Sequence, residues 1–176
     1  MKKLKRFPTT DYDKIPQKYY FLSIIKNIIK IADLEHSDQT ILDFGCGNKI
    51  FSKILKNQKI INYDTKPELT ECENYENVHF DIVIFNHVLM YLHAKEIEEL
   101  LEKIKGINPN CKLILGLGKQ NFFSKIAMFL SLNFKAHDDT RSSYKEQTDI
   151  FFKKTELIKK KLNIFGMTDV YYGKFK

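Results

Sequence analysis

The amino-acid sequence predicts an α/β fold, with a doubly wound, mostly parallel sheet of about six strands and helices on both faces. Strand-like and helix-like segments alternate between residues 40 and 121, which is typical of parallel sheets whose crossover connections are helices. An apolar run at residues 41–44 leads directly into a glycine turn. The chain has 176 residues, 43% of them hydrophobic, which is enough for one folded domain with its own core.

The individual elements follow from local patterns. Residues 1–16 form a polar arm, and residues 17–33 carry apolar side chains at helical spacing. The elements predicted after them are a strand at 40–44, a helix at 49–57, strands at 59–63 and 81–86, a helix at 94–105, a strand at 112–116, helices at 121–132 and 145–162, and a strand at 167–175. Because one strand is predicted after the last helix, we expect six strands or fewer.

The glycine turn is the main candidate for a ligand site. Residues 41–48 read Ile-Leu-Asp-Phe-Gly-Cys-Gly-Asn, and the two glycines allow backbone N–H groups to approach a ligand. Asp43 stands at the C-terminal end of the strand, where open α/β sheets bind ligands. A second acid, Asp64, follows at the predicted end of the next strand. In a dinucleotide-binding protein this acid would hold an NAD ribose, but Ile50 stands where that motif has its third glycine.

Four segments resemble the class I S-adenosylmethionine-dependent methyltransferases, and among them the small type 11 group. Residues 41–55 look like the family's first motif, 59–65 like its second strand, 80–92 like its fourth strand and 107–121 like its fifth. The resemblance implies a Rossmann-like fold and S-adenosyl-L-methionine as the cofactor. It also implies cofactor contacts from Asp43, Gly45, Cys46, Gly47, Asn48, Asp64, Thr65, Asn86 and His87.

The sequence departs from the family at two places. Lys49 stands where the glycine turn often has a third glycine. The segment 65–80 is short for the helix, the strand and the adenine-binding acid that the family usually has there. Glu71, Glu73 and Glu76 are all candidates for the acid that meets the adenine amine. Cys46, inside the turn, is interpreted as a small filler and not as a nucleophile.

Two histidines are candidate general bases. His87 follows the predicted strand 81–86, and a histidine there can accept a proton near neutral pH; the alternative is that it caps the next helix or lines the donor pocket. His137 lies beside Asp138 and Asp139, which can hold its tautomer, and the alternative is a solvated loop. Methyl transfer to a free amine or phenolate needs no base, since alignment suffices.

The predicted organisation is a single domain over residues 1–176, with a cofactor-binding core at 17–121 and an acceptor or lid region at 122–176. The predicted function is methyl transfer to an O, N or C nucleophile of a small-molecule or lipid- or sugar-linked acceptor. Two alternatives remain: a non-catalytic relative that binds a partner, and an RNA methyltransferase. The net charge of +7 is concentrated in residues 1–20 and 141–176. Such basic ends can attract nucleic acid or an anionic substrate, and the alternative is that they are solvated lysines on two amphipathic helices.

Composition constrains the compartment and the partners. The three cysteines are odd in number and lack metal-ligand spacing, which indicates a reducing, cytoplasmic location and no metal site. No apolar run is long enough for a membrane span, and a polar run follows the basic N-terminus where a signal peptide would be apolar. We expect a monomer or a homodimer.

Overall fold

The structure is a computed structural model, and the residues that it describes are 17–56, 58–119, 140–163 and 166–176. The predicted polar arm (1–16), the predicted helix at 121–132 and the candidate base His137 lie outside these residues.

Six strands form one sheet. They are β1 (Ile41–Phe44), β2 (Ile60–Tyr63), β3 (Ile82–Asn86), β4 (Lys112–Gly118), β5 (Thr155–Leu162) and β6 (Thr168–Phe175). Their order is β2-β1-β3-β4-β6-β5. The first four are mutually parallel, and β6 runs antiparallel to both β4 and β5. The predicted α/β fold with six mostly parallel strands is confirmed, and the carboxyl ends of β1 to β4 share one edge with the start of β6.

Helices cover both faces of the sheet. In the described part of the chain they are α1 (Gln17–Ile31), α2 (Ile50–Ile54), α3 (Ala94–Ile107) and α4 (Tyr144–Lys154). Side chains alternate between the two faces of a strand. Ile41 and Ile82 therefore pack in one cluster with α1 and α2, whereas Leu42 and Val83 pack in another with α3 and α4. Burial on both faces explains why these strands are almost continuously apolar.

Hydrogen bonds at their N-termini fix where α3 and α4 begin. The His93 N–H donates to Glu96 Oε2 at 2.6 Å, and the Ser143 N–H donates to Glu146 Oε2 at 2.7 Å. The Glu146 N–H in turn donates to Ser143 Oγ at 3.2 Å. Such reciprocal bonds satisfy N–H groups that the first helical turn leaves unpaired.

The prediction of one helix over residues 145–162 is wrong in its second half. The helix ends at Lys154, and β5 begins at once with the buried Thr155. Residues 155–162 contain leucine, glutamate and three lysines, which favour helix in isolation. Pairing with β6 along most of the strand overrides this preference. The chain consequently has two strands after the last helix, where the sequence predicted one.

The segment 65–80 has no strand. It contains a single 3₁₀ turn, Tyr75–Asn77, and irregular structure. The sheet therefore reaches six strands through the additional strand β5 near the end of the sequence, and β2 remains at its edge.

Candidate functional site

The glycine turn between β1 and α2 is tied to the end of β2. The N–H groups of Gly45 and Cys46 both donate to the Tyr63 carbonyl, at 2.8 and 3.1 Å. Gly45 and Gly47 have φ angles of +77° and +48°, which favour glycine. A Cβ on Gly45 would lie 2.5 Å from Val88 Cγ2, whereas a Cβ on Gly47 would meet no atom within 4 Å. Gly45 thus permits close packing, and Gly47 borders open space where a ligand can reach the backbone.

Asp43 is a buried carboxyl group beside this turn. Its side chain is 2% exposed, and Oδ2 has no hydrogen-bond partner among the described residues. Burial, and next the charge of Asp64, raise the pKa of Asp43 to about 7. A buried carboxylate without donors is unfavourable. A ligand group that is positive or bears a hydroxyl would relieve this cost.

Asp64 lies next to the turn, just after β2. Its Oδ2 accepts the Gly47 N–H at 3.0 Å, and its Oδ1 accepts the Lys66 N–H at 3.0 Å. A carboxylate oxygen accepts more than one hydrogen bond, so both oxygens can also accept from ligand hydroxyl groups. The neighbouring Thr65 and Asn48 are exposed. The structure therefore brings the predicted cofactor residues of β1, β2 and the turn together.

Lys49, the residue at the third glycine position, is held by contacts outside the turn. It directly precedes α2 and has a φ of +55°, and its Nζ lies 2.9 Å from Glu71 Oε1. Glu71 Oε2 also accepts from Asn62 Nδ2 at 2.6 Å, and these hydrogen bonds from Asn62 and Lys49 lower the pKa of Glu71. Glu76, another candidate for adenine recognition, pairs with Lys103 at 3.1 Å. Two of the three candidate acids therefore already have cationic partners.

Cys46 is a buried thiol. It is 6% exposed, and its Sγ donates to the Leu69 carbonyl at 3.5 Å. Burial, and then the charges of Asp43 and Asp64, raise the pKa of Cys46 to about 12. A nucleophilic cysteine needs the opposite shift, so the interpretation of Cys46 as a filler agrees with its environment.

The end of β3 brings Asn86 and His87 to the same edge of the sheet. Asn86 Oδ1 is buried and has no hydrogen-bond partner within the described ranges. His87 has a φ of +56°, and its N–H donates to the Gly116 carbonyl at 2.9 Å. The imidazole covers Gly118, since a Cβ there would lie 3.1 Å from His87 Cε1. The missing side chains of Gly116 and Gly118 make room for Asn86 and His87.

The His87 ring also contacts two elements that sequence reasoning did not connect with it. Its Nε2 lies 3.5 Å from Thr168 Oγ1 on β6, and that hydroxyl shares a hydrogen bond with the Tyr20 hydroxyl at 2.5 Å. Phe21 packs edge-on against the imidazole, with ring centroids 6.4 Å apart. No sequence signal marks Tyr20 or Thr168, because α1 and β6 lie at opposite ends of the sequence.

A second buried carboxylate, Asp169, lies on the other face of the sheet at the same edge. The hydroxyls of Tyr144 and Tyr171 donate to Asp169 Oδ2 at 2.6 and 2.8 Å. The Nζ atoms of Lys119 and Lys160 lie 2.8 and 3.0 Å from the same oxygen. Each lysine also lies over a tyrosine ring, Lys119 over Tyr144 and Lys160 over Tyr171. We call these five residues the Asp169 cluster.

The donors of the Asp169 cluster reverse the effect of burial. Burial acts to raise the pKa of Asp169, but the hydrogen bonds from Lys119, Tyr144, Tyr171 and Lys160 together hold the pKa below its ordinary value. Burial and the neighbouring Asp169 raise the pKa of Tyr144. Tyr144 is therefore a hydrogen-bond donor at neutral pH and not a base. Sequence reasoning missed this cluster because its members come from four separate elements or their ends.

Other features lie away from these residues. Two surface clefts of about 440 and 340 Å³ contain no residue of the glycine turn. Within the described ranges, no helix combines the length and apolarity needed to cross a bilayer. In the same part of the chain, no group of three or more His, Cys, Asp or Glu residues could hold a metal ion.

A protein-family model described as "Methyltransferase domain" matches residues 17–147. No curated protein is similar enough to count as a match.

Several solved structures share the fold. The PH0226 protein from Pyrococcus horikoshii OT3 superposes with a TM-score of 0.69 at 12% identity, covering 96% of this chain and 95% of that one. The N-methyltransferase NodS from Bradyrhizobium japonicum WM9, in complex with S-adenosyl-L-homocysteine, gives 0.61 at 10% identity, covering 93% and 90%. Magnesium protoporphyrin IX methyltransferase from Synechocystis PCC 6803, with bound SAM, gives 0.60 at 12% identity, covering 91% and 81%.

Proposed function

Because the chain belongs to the methyltransferase domain family that it matches over residues 17–147, we propose that it is an S-adenosyl-L-methionine-dependent methyltransferase. The observation that carries this proposal is the buried Asp43 carboxyl, whose Oδ2 has no hydrogen-bond partner among the described residues, beside a glycine turn whose Gly47 borders open space. Two solved structures with the same fold hold S-adenosyl-L-homocysteine or SAM. A donor with a positive charge and hydroxyl groups fits these residues better than a pyrophosphate does.

The proposal gives each part of the site a role in holding the donor. Asp43 meets a positive or hydroxyl-bearing group, the backbone of Gly45 to Asn48 lies along the ligand, and Asp64 accepts from the ribose hydroxyls. Thr65 flanks Asp64. Asn86, whose Oδ1 has no partner within the described ranges, completes the site from β3. When bound, S-adenosyl-L-methionine supplies an electrophilic methyl group that the acceptor attacks.

We assign His87 the role of proton acceptor for acceptors that carry a proton on the attacking atom. Its ring lies at the end of β3 and approaches Thr168 Oγ1, which with Tyr20 and Phe21 restricts how the imidazole can turn. An imidazole has the proton affinity for this task near neutral pH. His137 stays a second candidate, since it lies outside the described residues.

The acceptor that we propose is a small molecule or a lipid- or sugar-linked compound. Residues 122–176 would form part of its pocket. A cytoplasmic location agrees with the free thiols of Cys46, Cys72 and Cys111, which are typical of a reducing compartment. We expect a monomer or a homodimer.

Isothermal titration with S-adenosyl-L-methionine and S-adenosyl-L-homocysteine tests the donor site. The informative variant is Asp64→Ala, which removes the carboxylate proposed to bind the ribose. Its matched control is Asp149→Ala, which removes an exposed carboxylate that pairs with Lys145 on α4. We expect micromolar binding by the wild type and by the control, and loss of binding in Asp64→Ala.

Two results would contradict the proposal. If the wild type binds neither compound, the chain is a non-catalytic relative of the family that binds another partner. If Asp64→Ala binds as tightly as the control, the donor does not occupy the edge formed by β1 and β2. Circular dichroism of each variant separates loss of binding from loss of fold.

A further inference from the structure

We propose that Lys119 and Lys160, the two lysines of the Asp169 cluster, bind an oxyanion, which is the carboxylate or phosphate group of the methyl acceptor. This inference rests on the proposed function, because it names a chemical class for the acceptor. It also concerns a different face of the sheet from the donor site.

The first support is the charge of the cluster. One ammonium group is sufficient to neutralise the carboxylate of Asp169, yet the Nζ atoms of both lysines lie within 3.0 Å of Asp169 Oδ2. Two tyrosine hydroxyls donate to the same oxygen. Among the described residues neither lysine has a second carboxylate partner. The cluster therefore has one positive charge in excess, and an oxyanion would balance it.

The second support is the number of available donors. An ammonium group has three N–H donors, and each lysine directs one of them to Asp169. The side chains of Lys119 and Lys160 are 30% and 41% exposed, whereas that of Asp169 is 0% exposed. The carboxylate thus holds two neighbouring ammonium groups in place, on side chains that are partly open to solvent while Asp169 itself is not.

The third support is the position of the cluster relative to the proposed methyl-transfer site. Lys119 follows Gly118, the residue that the His87 ring covers. Asp169 follows Thr168, whose hydroxyl approaches His87 Nε2. Because successive residues of a strand point to opposite faces, the cluster lies across the sheet from His87, at the same end of β4 and β6. An oxyanion bound by the lysines would anchor an acceptor at this end of the sheet. Fixing a remote group in this way is how enzymes align a nucleophile.

The test titrates the protein with phenyl phosphate and with benzoate, which distinguish a phosphate from a carboxylate site. The variants are Lys119→Met and Lys160→Met, made singly so that one ammonium group still pairs with Asp169 and the fold is retained. The controls are Lys145→Met and Lys153→Met, which remove exposed lysines that pair with Asp149 and Glu98.

We expect the wild type and both controls to bind at least one probe. Each single variant should weaken that binding by at least about tenfold, since a charge-assisted hydrogen bond is lost. Asp169→Asn should bind the probe more tightly than the wild type does, because it removes the competing negative charge and keeps both ammonium groups. A purely structural role for the lysines predicts neither change.

The inference is overturned if the wild type binds neither probe at millimolar concentration, or if the controls lose as much binding as Lys119→Met and Lys160→Met. Titration of the same samples with S-adenosyl-L-methionine keeps the two proposals apart. Donor binding without probe binding would overturn only the oxyanion site. Probe binding without donor binding would overturn the proposed function and leave an oxyanion site of another use.

Discussion

Asp43 and Asp169 are buried carboxyl groups at the same edge of one sheet, and they differ in the donors around them. Each has one oxygen without a hydrogen-bond partner among the described residues, Oδ2 in Asp43 and Oδ1 in Asp169, but the pKa of Asp43 is raised to about 7. Asp169 on β6 has four donors on one oxygen, and its pKa lies below the ordinary value in spite of burial.

The difference shows that burial does not by itself set the charge of a carboxyl group. Desolvation acts on both residues in the same direction, and the neighbouring donors decide the outcome. Asp43 Oδ2 has no donor in the described part of the chain, which suits a ligand that brings a positive charge. Asp169 has an excess of cationic neighbours, which are suited to a negative one. According to the two proposals, the two ends of this sheet edge bind ligand groups of opposite charge.

The largest expected effect is on the pH dependence of stability, through Asp43. Its pKa is about 7 in the folded protein and 3.8 in the unfolded chain. Between these values the folded state binds more protons, so the stability that the group contributes is complete below pH 3.8 and is lost as the pH rises through 7. We expect the free energy of unfolding to fall by about 4 kcal/mol across this window.

Urea denaturation of the wild type and of Asp43→Asn at a series of pH values measures this effect. The difference in the free energy of unfolding between the two proteins should change with pH across this window, because asparagine does not titrate. Asp169 affects stability in the opposite direction, because its pKa is lowered in the folded protein. The stability that it contributes is lost only as the pH falls through that folded-state pKa. If the free energy of unfolding depended on pH equally in the wild type and in Asp43→Asn, the pKa of Asp43 would not be raised by folding, and the contrast with Asp169 would not hold.

A somewhat smaller effect is expected when both lysines of the Asp169 cluster are removed. The double variant Lys119→Met, Lys160→Met leaves a carboxylate that is 0% exposed with phenol donors only. We expect the free energy of unfolding to fall by about 3 kcal/mol, at the lower end for a broken buried ion pair, because water can replace the partly exposed ammonium groups. Chemical denaturation at neutral pH provides the measurement.

The control for this prediction is the double variant Lys145→Met, Lys153→Met. It removes the same charge from exposed pairs with Asp149 and Glu98, which should cost less than about 1 kcal/mol. If the two double variants were equally stable, Asp169 would not depend on its lysines.

The smallest effects separate packing from binding on the Asp43 side. Gly45→Ala places a Cβ 2.5 Å from Val88 at a φ of +77°, and we expect it to cost about 2 kcal/mol of stability. Gly47→Ala meets no atom within 4 Å and should cost about 1 kcal/mol, from its positive φ alone. Titration with S-adenosyl-L-methionine should nevertheless show that Gly47→Ala loses more affinity for the ligand, for each kcal/mol of stability lost, than Gly45→Ala does. The reverse order would mean that the ligand does not approach Gly47.

The sequence was most informative where a structure depends on neighbouring residues. The strand that ends at Phe44, the glycine turn after it and α3 follow from local periodicity and from glycine positions, and the structure contains all three. The turn also keeps Asp43 near Asp64, because adjacent parallel strands end at the same edge. This local order is why the cofactor side of the site could be described before the structure was known.

The sequence was least informative where a structure depends on distant partners. Residues 155–162 have helix-favouring composition and become a strand only because β6 pairs with them. In the Asp169 cluster, Lys119, Tyr144 and Lys160 contact β6 although they are far from one another in the sequence, and a local sequence pattern cannot predict such contacts. His87 could be identified from its place after β3, but its contact with Thr168 could not.

The position of β6 has a consequence for how the sheet forms during synthesis. β6 follows β5 in the chain, yet it lies between β5 and β4. When β5 leaves the ribosome, its partner β6 has not yet been made. We expect the two strands to form a hairpin that docks on β4 as a unit, and this closure is slow because β4 ends at Gly118 whereas β5 begins only at Thr155. Until that moment β4 is an open, apolar edge, and a nascent chain at this stage is the form that we expect chaperones to protect.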